Sequence, residues 1–317
     1  MRANIVTQKD IADALNVSVN TVSHALRGLP DISQSLTEKI RNTAREMGYI
    51  PNSMAIKLKT GSTKTIALVY DNLVNPFFTI MASKIFTFIK EKGYDTVIFP
   101  CTNYFEIEHS TLNELLELHV DGILSFLDIG ESIVNTNAFK AFPTVIVGRL
   151  SKHNITSIYT DDFEGGRIIG RYFKEKGYKK ILYAGPELIE ESSKRFNGIK
   201  EVYNSDISKY QFREGSDISK FVEFVSINKI EAVFAFNDVL ANLIKQAVAH
   251  LGVEVAGYDY LHGQLPFVND TDSISYDFDK IAELSVNSLF EIIDNPEIQK
   301  QQIKVPVYLH KEGEKTL

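Results

Sequence analysis

The chain has 317 residues, enough for two or three compact domains, and its 44% hydrophobic and 24% charged residues are typical of a globular protein. Its single cysteine, Cys101, excludes an internal disulfide and argues against a cysteine-based metal or redox site. The first residues lack the apolar segment of a signal peptide, and no run of about 18 apolar residues could span a membrane, so we expect a cytoplasmic protein. The net charge is −7, yet residues 1–60 carry eight Lys and Arg against five Asp and Glu. A basic end on an acidic body indicates a polyanionic partner for that end.

Three short helices are predicted in residues 1–48. The apolar spacing predicts helices over Gln8 to Leu15, Val19 to Leu26 and roughly Ser33 to Met47. Thr7 and Ser18 are suited to cap the first two helices, because a hydroxyl can accept a hydrogen bond from a free amide of the first turn. Two short helices joined by a minimal turn, with a third in support, predict a helix-turn-helix.

The outer face of the second predicted helix is polar and ends in a cation. Amide and imidazole groups on such a face can read base edges in the major groove, and hydroxyls suit phosphate contacts. The face consists of Asn20, Thr21, Ser23, His24 and Arg27. The alternative interpretation is a small helical bundle whose polar face is only solvated.

Two segments carry a family resemblance: TQKDIADALNVSVNTVSHALRG, which spans 7–28, and REMGYIPNSMAIKLKTG, which spans 45–61. Both resemble the lactose/galactose repressor family of bacterial transcription regulators, and the resemblance continues through NPFF, GGR, RFNG, FAFND and GYD. It implies base contacts from Val19, Asn20 and His24, and phosphate contacts from Thr21 and Ser23. His24 is similar to the purine-repressor branch, where other members carry Arg. The full set of DNA-contacting residues expected in the headpiece is Thr7, Ser18, Val19, Asn20, Thr21, Ser23, His24 and Arg27.

Residues 49–61 form a predicted hinge. Pro51 favours a break, and the helix that can follow over Ser53 to Lys59 is too short to be stable alone in water, so we expect it to fold on binding. The resemblance implies a hinge helix that inserts Leu58 into the minor groove as an apolar wedge. Ile56-Lys57 stands where many members have Arg-Ser, and in the alternative interpretation Leu58 packs as part of a linker. The expected hinge contacts to DNA are Asn52, Ala55, Lys57 and Leu58.

From Thr63 onward, short apolar runs alternate with amphipathic helical stretches. This alternation predicts parallel sheets covered by helices on both faces. The apolar runs are Thr65 to Tyr70, Thr96 to Pro100, Gly122 to Phe126, Lys180 to Ala184, Ala232 to Phe236 and Glu254 to Tyr258. KEKGY occurs twice, at Lys90 to Tyr94 and at Lys174 to Tyr178, as an internal repeat or as two ordinary helix ends.

With the resemblance, we expect an α/β fold: the helix-turn-helix headpiece and two doubly wound parallel-sheet subdomains of the periplasmic-binding-protein type. The N-terminal effector-binding subdomain should span 62–160 plus about 276–300. The C-terminal one should span 161–275 plus about 303–317. The last helix, over Phe278 to Ile293, should return to the first subdomain, and a final strand over Val305 to Leu309 should lie at the hinge between them.

Ligands of such folds bind beyond the carboxyl ends of the strands. Amide, carboxylate and guanidinium groups there suit sugar hydroxyls, and a phenyl ring could face a sugar ring. Three alternatives stay open: Asn237-Asp238 could only cap the next helix, one of Phe77 and Phe78 could be core, and Arg149 could pair with a carboxylate across the cleft. The effector-binding residues implied by the resemblance are Asp71, Asn75, Phe77, Phe78, Arg149, Arg195, Asn237, Asp238 and Asp259.

The common enzyme motifs GxxxxGK[ST], GxSxG, HExxH and CxxC do not occur in the sequence, so we expect no enzyme, no cofactor and no metal. A free-standing sugar-binding protein of the transport type is a further alternative, which the headpiece argues against. We expect a transcription regulator, most simply a repressor, that binds a near-palindromic operator as a homodimer rather than a tetramer. A sugar or sugar phosphate should control its affinity, with a purine-like corepressor as the alternative.

Overall fold

The computed structural model describes residues 6–50, 62–70, 75–101, 106–187, 189–204, 207–213, 215–265 and 268–313. The chain divides into two units, Met1–Thr63 and Lys64–Leu317. The four expected hinge contacts, Asn52, Ala55, Lys57 and Leu58, lie outside the described residues, and so does Asp71.

The first unit contains three helices, α1 (Gln8–Leu15), α2 (Val19–Arg27) and α3 (Gln34–Glu46). Thr7 and Asp10 form a reciprocal capping box at the start of α1, and the Ser18 hydroxyl accepts a hydrogen bond from the amide of Thr21 at the start of α2. Asn16 turns the chain between the two helices with φ of 54°. The predicted helix-turn-helix is therefore confirmed.

One apolar core holds these helices together. Ile11 of α1, Val22 of α2 and Ile40 of α3 are fully buried, one from each helix. The apolar spacing along each helix places such residues on a single face, which the other two helices cover. Burying a side chain of this size contributes about 1.5–3 kcal/mol, so these residues are the main apolar contacts that hold the three helices together.

The second unit alternates strands and helices. Its strands are β1 (Thr65–Tyr70), β2 (Asp95–Pro100), β3 (Glu106–Ile107), β4 (Gly122–Ser125), β5 (Asp128–Ile129), β6 (Thr144–Val147), β7 (Thr156–Thr160), β8 (Ile181–Gly185), β9 (Ser208–Gln211), β10 (Ala232–Ala235), β11 (Glu254–Tyr258), β12 (Asp272–Tyr276), β13 (Gln302–Val305) and β14 (Val307–His310). Its helices are α4 (Pro76–Glu91), α5 (His109–Leu118), α6 (Glu131–Val134), α7 (Asn137–Lys140), α8 (Asp162–Glu175), α9 (Glu190–Tyr203), α10 (Ile218–Asn228), α11 (Asp238–Ala247), α12 (Leu261–Gln264) and α13 (Phe278–Asp294), with a short 3-10 turn over Ala249–Leu251. None of the described helices is long and apolar enough to cross a membrane.

The strands form two six-stranded sheets, in the orders β13-β7-β6-β4-β1-β2 and β14-β12-β11-β10-β8-β9, and a two-stranded sheet of β3 and β5. Every pair is parallel except β12 with β14. Side chains alternate between the two faces of a strand, and in β1 Leu68 and Val69 belong to different core clusters. Both faces are thus covered, which explains why the strands read as continuous apolar runs. The predicted α/β fold is confirmed.

The chain crosses between the two subdomains three times. It passes from β7 to α8, from β12 to α13, and from β13 to β14. α13 packs on the first sheet, where the Leu289 side chain fills the space beside Gly122. The prediction of one final strand over Val305 to Leu309 is wrong. Pro306 has no amide hydrogen to donate and separates β13, which pairs with β7, from β14, which pairs with β12. Residues 303–305 therefore belong to the first sheet and not to the second subdomain.

Candidate functional site

A cavity of about 810 Å³ lies at the carboxyl ends of strands from both six-stranded sheets. Thr160 of β7 and Tyr276 of β12 stand at two of the three points where the chain crosses between the subdomains. Seven of the nine residues expected from the sequence line this cavity: Asn75, Phe77, Phe78, Arg149, Arg195, Asn237 and Asp259. The sheets therefore bring together side chains that lie far apart in the sequence.

Arg195 of α9 is the most constrained of these side chains. Its Nε donates to Oδ1 of Asp162 at 2.8 Å, its Nη1 donates to the carbonyl of Phe236, and its guanidinium carbon lies 3.5 Å from the centre of the Tyr258 ring. Burial alone would lower the pKa of Arg195, but the Asp162 carboxylate raises it above the ordinary value. The cavity therefore contains a permanently charged guanidinium in a fixed orientation.

Two glycine contacts position Arg195 on its helix. A Cβ at Gly166 of α8 would lie 2.1 Å from the carbonyl oxygen of Arg195, and one at Gly198 of α9 would lie 2.1 Å from that of Phe163. No side chain fits at either place, so α8 and α9 pack backbone against backbone. The GGR and RFNG motifs are the two halves of this contact, which brings Asp162 of α8 next to Arg195.

Asp259 directly follows β11 and is buried at the base of the cavity. Its Oδ1 accepts a hydrogen bond from the hydroxyl of Tyr276 at 2.9 Å. Burial raises the pKa of Asp259 to about 6, although the charge of Arg195 acts in the opposite direction. The φ of Asp259 is 98°, a strained conformation for a residue with a Cβ. Such strain is concentrated at functional sites, where the surrounding structure maintains it.

Two asparagines stand at equivalent positions on the two walls of the cavity. The Oδ1 of Asn75 accepts from the amide of Phe77 at 3.1 Å and caps α4, and the Oδ1 of Asn237 accepts from the amide of Leu240 at 2.9 Å and caps α11. Asn237 thus both caps a helix and lines the cavity. In each residue the cap uses the amide oxygen, so the NH2 group is the part that can donate to a ligand.

Asp238 does not line the cavity, which corrects the expectation that it contacts the effector. The side chain is buried, its Oδ1 accepts from the hydroxyl of Ser273 and its Oδ2 accepts from the amide of Leu261, both at 2.7 Å. Burial raises the pKa of Asp238 to about 8. Its carboxyl joins β12 to the start of α12, so it supports the loop that contains Asp259.

Arg149 and Glu191 form an ion pair across the cavity. Arg149 follows β6 in the first subdomain, and Glu191 lies on α9 in the second. The Nε of Arg149 is 3.4 Å from Oε1 of Glu191, and both side chains are mostly buried. The pairing across the cleft that the sequence left open is therefore present, and it links the two walls.

One wall of the cavity is aromatic. Phe77 and Phe78 both line it, with ring centres 5.1 Å apart, and Phe126 lies 5.3 Å from Phe78. Because both rings line the cavity, the arrangement does not favour the alternative in which one of Phe77 and Phe78 is only a core residue. Both rings also pack against the buried core of the first sheet, so the wall is rigid.

The expected DNA-binding residues of the first unit lie at the surface of α1 and α2. All eight are exposed or half-buried: Thr7, Ser18, Val19, Asn20, Thr21, Ser23, His24 and Arg27. Val19 is 45% exposed although it is apolar. The Nε of Arg27 donates to the carbonyl of Ser23 at 3.1 Å, and Nδ1 of His24 contacts the carboxylate of Asp31.

Residues 7–52 match the bacterial regulatory proteins of the lacI family, and residues 63–217 match the periplasmic binding proteins and sugar binding domain of the LacI family. The chain belongs to the lacI family of bacterial regulatory proteins. It is 24% identical to the HTH-type transcriptional repressor PurR of Mannheimia succiniciproducens, over 95% of this chain and 96% of that protein. It is 34% identical to the HTH-type transcriptional regulator MalR of Staphylococcus xylosus, over 56% of this chain and 55% of that one. A crystal structure of the lac repressor dimer bound to operator and the anti-inducer ONPF shares its fold, with a TM-score of 0.82, 21% identity and 98% coverage of each chain.

This lacI-family chain has further cavity residues that the sequence reasoning missed. Phe126, Phe236 and Tyr276 all line the cavity, and each stands at or just beyond the carboxyl end of a strand. The rule that located Asn75 and Asp259 also applies to these three positions. Glu191 has no such signal, because it lies within the first turn of a helix.

Proposed function

We propose that this chain is a sequence-specific DNA-binding regulator, most simply a repressor, whose operator affinity is controlled by a sugar bound in the cavity. The cavity is the observation that supports this function. It combines polar side chains from both subdomains, and a helix-turn-helix belongs to the same chain. The relatives that it matches are transcription regulators, so we infer a binding function in the cytoplasm and not a catalytic one.

The charge balance of the cavity favours a neutral ligand. Three arginines and three carboxyl side chains line it: Arg149, Arg195, Arg213, Glu187, Glu191 and Asp259. Two of these arginines already have carboxylate partners, Glu191 and Asp162. A phosphate group would need cations that are not already neutralised, and of the three arginines only Arg213 has no carboxylate partner among the described residues. A neutral sugar is therefore favoured over a sugar phosphate.

The remaining polar groups suit hydroxyls. The Asp259 carboxyl can accept hydrogen bonds, and the NH2 groups of Asn75 and Asn237 can donate them, whereas a sugar hydroxyl does both. The rings of Phe77 and Phe78 provide an apolar wall for the face of a sugar ring. These same rings also suit a flat base, so a purine is the second candidate effector.

We further propose that the chain acts as a homodimer. Val239 and Leu243 lie one turn apart on α11 and are 47% and 48% exposed, and Ile98 on the edge strand β2 is 42% exposed. Clusters of exposed apolar side chains mark interaction surfaces. A two-fold dimer presents two headpieces to the two half-sites of a near-palindromic operator.

The control mechanism that we propose is a change in the angle between the subdomains. A ligand that contacts both walls stabilises one arrangement of the two sheets. The chain enters the first sheet at Thr65, directly after the hinge segment 49–61, so movement of that sheet displaces the end of the hinge. Effector and operator must then alter each other's affinity by the same factor.

The test is selection of bound sequences from a random duplex pool with the purified chain, followed by titration of the selected site. The titration panel contains neutral mono- and disaccharides, sugar phosphates and purines. A near-palindromic site whose binding curve shifts with a neutral sugar supports the proposal. Absence of any enriched sequence refutes DNA binding. A shift with only phosphorylated sugars or only purines refutes the proposed effector class.

A further inference from the structure

His24 of α2 is in contact with an acidic residue from the loop that follows this helix. The Nδ1 of His24 is hydrogen-bonded to Oδ2 of Asp31. Gly28, with φ of 69°, ends the helix, and its amide and that of Leu29 donate to the carbonyls of Ala25 and His24. This left-handed turn reverses the chain and returns Asp31 to the helix.

The contact determines which ring nitrogen of His24 carries hydrogen. A carboxylate has only acceptors, so the nitrogen that faces it must be the donor. A neutral imidazole has one hydrogen, and with that hydrogen on Nδ1 the other nitrogen, Nε2, is an acceptor. The contact therefore selects one tautomer of a side chain that otherwise has two.

We propose that Asp31 is a specificity-determining residue that acts through His24: it holds the hydrogen on Nδ1, so that Nε2 reads the operator as an acceptor. This inference rests on the proposed DNA-binding function of α2. In the major groove only adenine, through N6, and cytosine, through N4, offer donors, whereas guanine offers O6 and N7 and thymine offers O4. On the strand that His24 contacts, the base should therefore be adenine or cytosine, with thymine or guanine as its partner on the other strand.

Asp31 is a positioning residue, and its removal should leave the headpiece folded. Its side chain is 53% exposed and that of His24 is 24% exposed. An exposed contact between two polar side chains contributes about 0–1 kcal/mol to stability, even where both are charged. The three-helix core contains neither residue. A change in base preference on substitution would thus report on recognition and not on folding.

The experiment compares five full-length proteins in selection from a random duplex pool at about pH 8, because the inference concerns the neutral form of histidine, which a higher pH favours. They are the unmodified chain, His24→Ala, Asp31→Ala, Asp31→Asn and the control Asp13→Ala. Asp13 is an exposed residue of α1, so the control removes the same charge from another helix of the headpiece. The operator position at which His24→Ala loses base preference identifies the base that His24 reads.

At that position the unmodified chain should enrich pairs that keep adenine or cytosine on one strand, because the reversed pair would present guanine or thymine to His24. Asp31→Ala frees both tautomers, so discrimination against the reversed pair should fall about 3- to 10-fold, the range for one hydrogen bond. Asp31→Asn should lose less of this discrimination, because its amide oxygen can still accept from Nδ1, although its NH2 group can also donate to that nitrogen. Asp13→Ala should change the affinity for all sequences by the same factor, as expected when a substitution alters only the attraction between the headpiece and the DNA phosphates.

An unchanged preference in Asp31→Ala overturns the inference, and so does a position in the unmodified chain that accepts adenine or cytosine equally on either strand. So does a His24→Ala variant that relaxes no position. These results still leave an enriched operator and therefore leave the proposed function intact. If the unmodified chain enriches no sequence, DNA binding itself is refuted and the inference falls with it.

Discussion

At neutral pH, the buried carboxyl of Asp259 should make the second unit, Lys64–Leu317, less stable than it would be with an amide at this position. Burial raises the pKa of this group from 3.8 to about 6. The folded protein therefore holds the proton more tightly than the unfolded chain, and the free energy of unfolding falls as the pH rises from about 3.8 to about 6. At about 1.4 kcal/mol per unit, the cost at pH 7 is about 3 kcal/mol.

Asp259→Asn removes this cost and keeps the oxygen that accepts from the Tyr276 hydroxyl. The variant should gain up to about 3 kcal/mol at pH 7, or about 6 °C in Tm at about 2 °C per kcal/mol for a unit of this size. It should also lose its effector response, because the carboxylate acceptor is gone. The stability gain should shrink towards zero at about pH 4, where the native carboxyl is already protonated.

Scanning calorimetry of the full chain between pH 4 and pH 7 measures the gain, and operator binding with effector present measures the response. Asp95→Asn is the control, since Asp95 is exposed and forms a surface ion pair with Lys90 whose loss costs less than about 1 kcal/mol. A variant that is less stable than the unmodified chain at pH 7 would refute the reasoning. So would a gain of equal size at both ends of the pH range.

Three further substitutions test the cavity and the proposed dimer. Gly198→Ala should lower the free energy of unfolding by about 1–3 kcal/mol, because its Cβ would lie 2.1 Å from the carbonyl oxygen of Phe163. Urea denaturation measures this loss, and an unchanged midpoint would contradict the backbone packing of the two helices. Arg195→Lys should weaken effector binding at least about tenfold, since an ammonium group cannot both pair with Asp162 and stack on the Tyr258 ring as the guanidinium does. Calorimetric titration measures the affinity, and an equal affinity in the variant would contradict this role. Leu243→Asp should shift the chain from dimer to monomer in analytical ultracentrifugation; an unaffected dimer would exclude α11 from the interface.

The sequence predicted six of the fourteen described strands, β1, β2, β4, β8, β10 and β11, because strands of a parallel sheet that is covered on both faces form continuous apolar runs. β12 was missed because its sequence, DSISY, alternates polar and apolar residues and so contains no continuous apolar run. Its polar side chains are buried but hydrogen-bonded, Ser273 to Asp238 and Asp272 to Tyr172. Such partners lie far away in the sequence and leave no local pattern. Because the strand was missed, its last residue, Tyr276, was also missed as a residue that lines the cavity.

The sequence predicted which strand ends contribute to the candidate site, but not which side chains at those ends line the cavity. Asn237 and Asp238 are neighbours, yet only Asn237 lines the cavity. What separates them is the position of Ser273, 35 residues from Asp238, which no spacing within the motif reveals. The ion pair of Arg149 with Glu191, 42 residues apart, depends in the same way on how the two subdomains meet.

The two asparagine caps explain why a ligand in this cavity should act on the angle between the subdomains. Asn75 is held by α4 of the first subdomain and Asn237 by α11 of the second, each through its own helix cap. Neither amide can follow a ligand independently, because moving it would break the cap. We therefore expect a ligand that bonds to both to favour one relative position of the subdomains, each of which would move as a rigid body. We expect the three crossovers of the chain, near residues 161, 277 and 306, to act as the hinge for such movement. The far ends of the sheets then move most, including the start of β1 to which the hinge segment is joined.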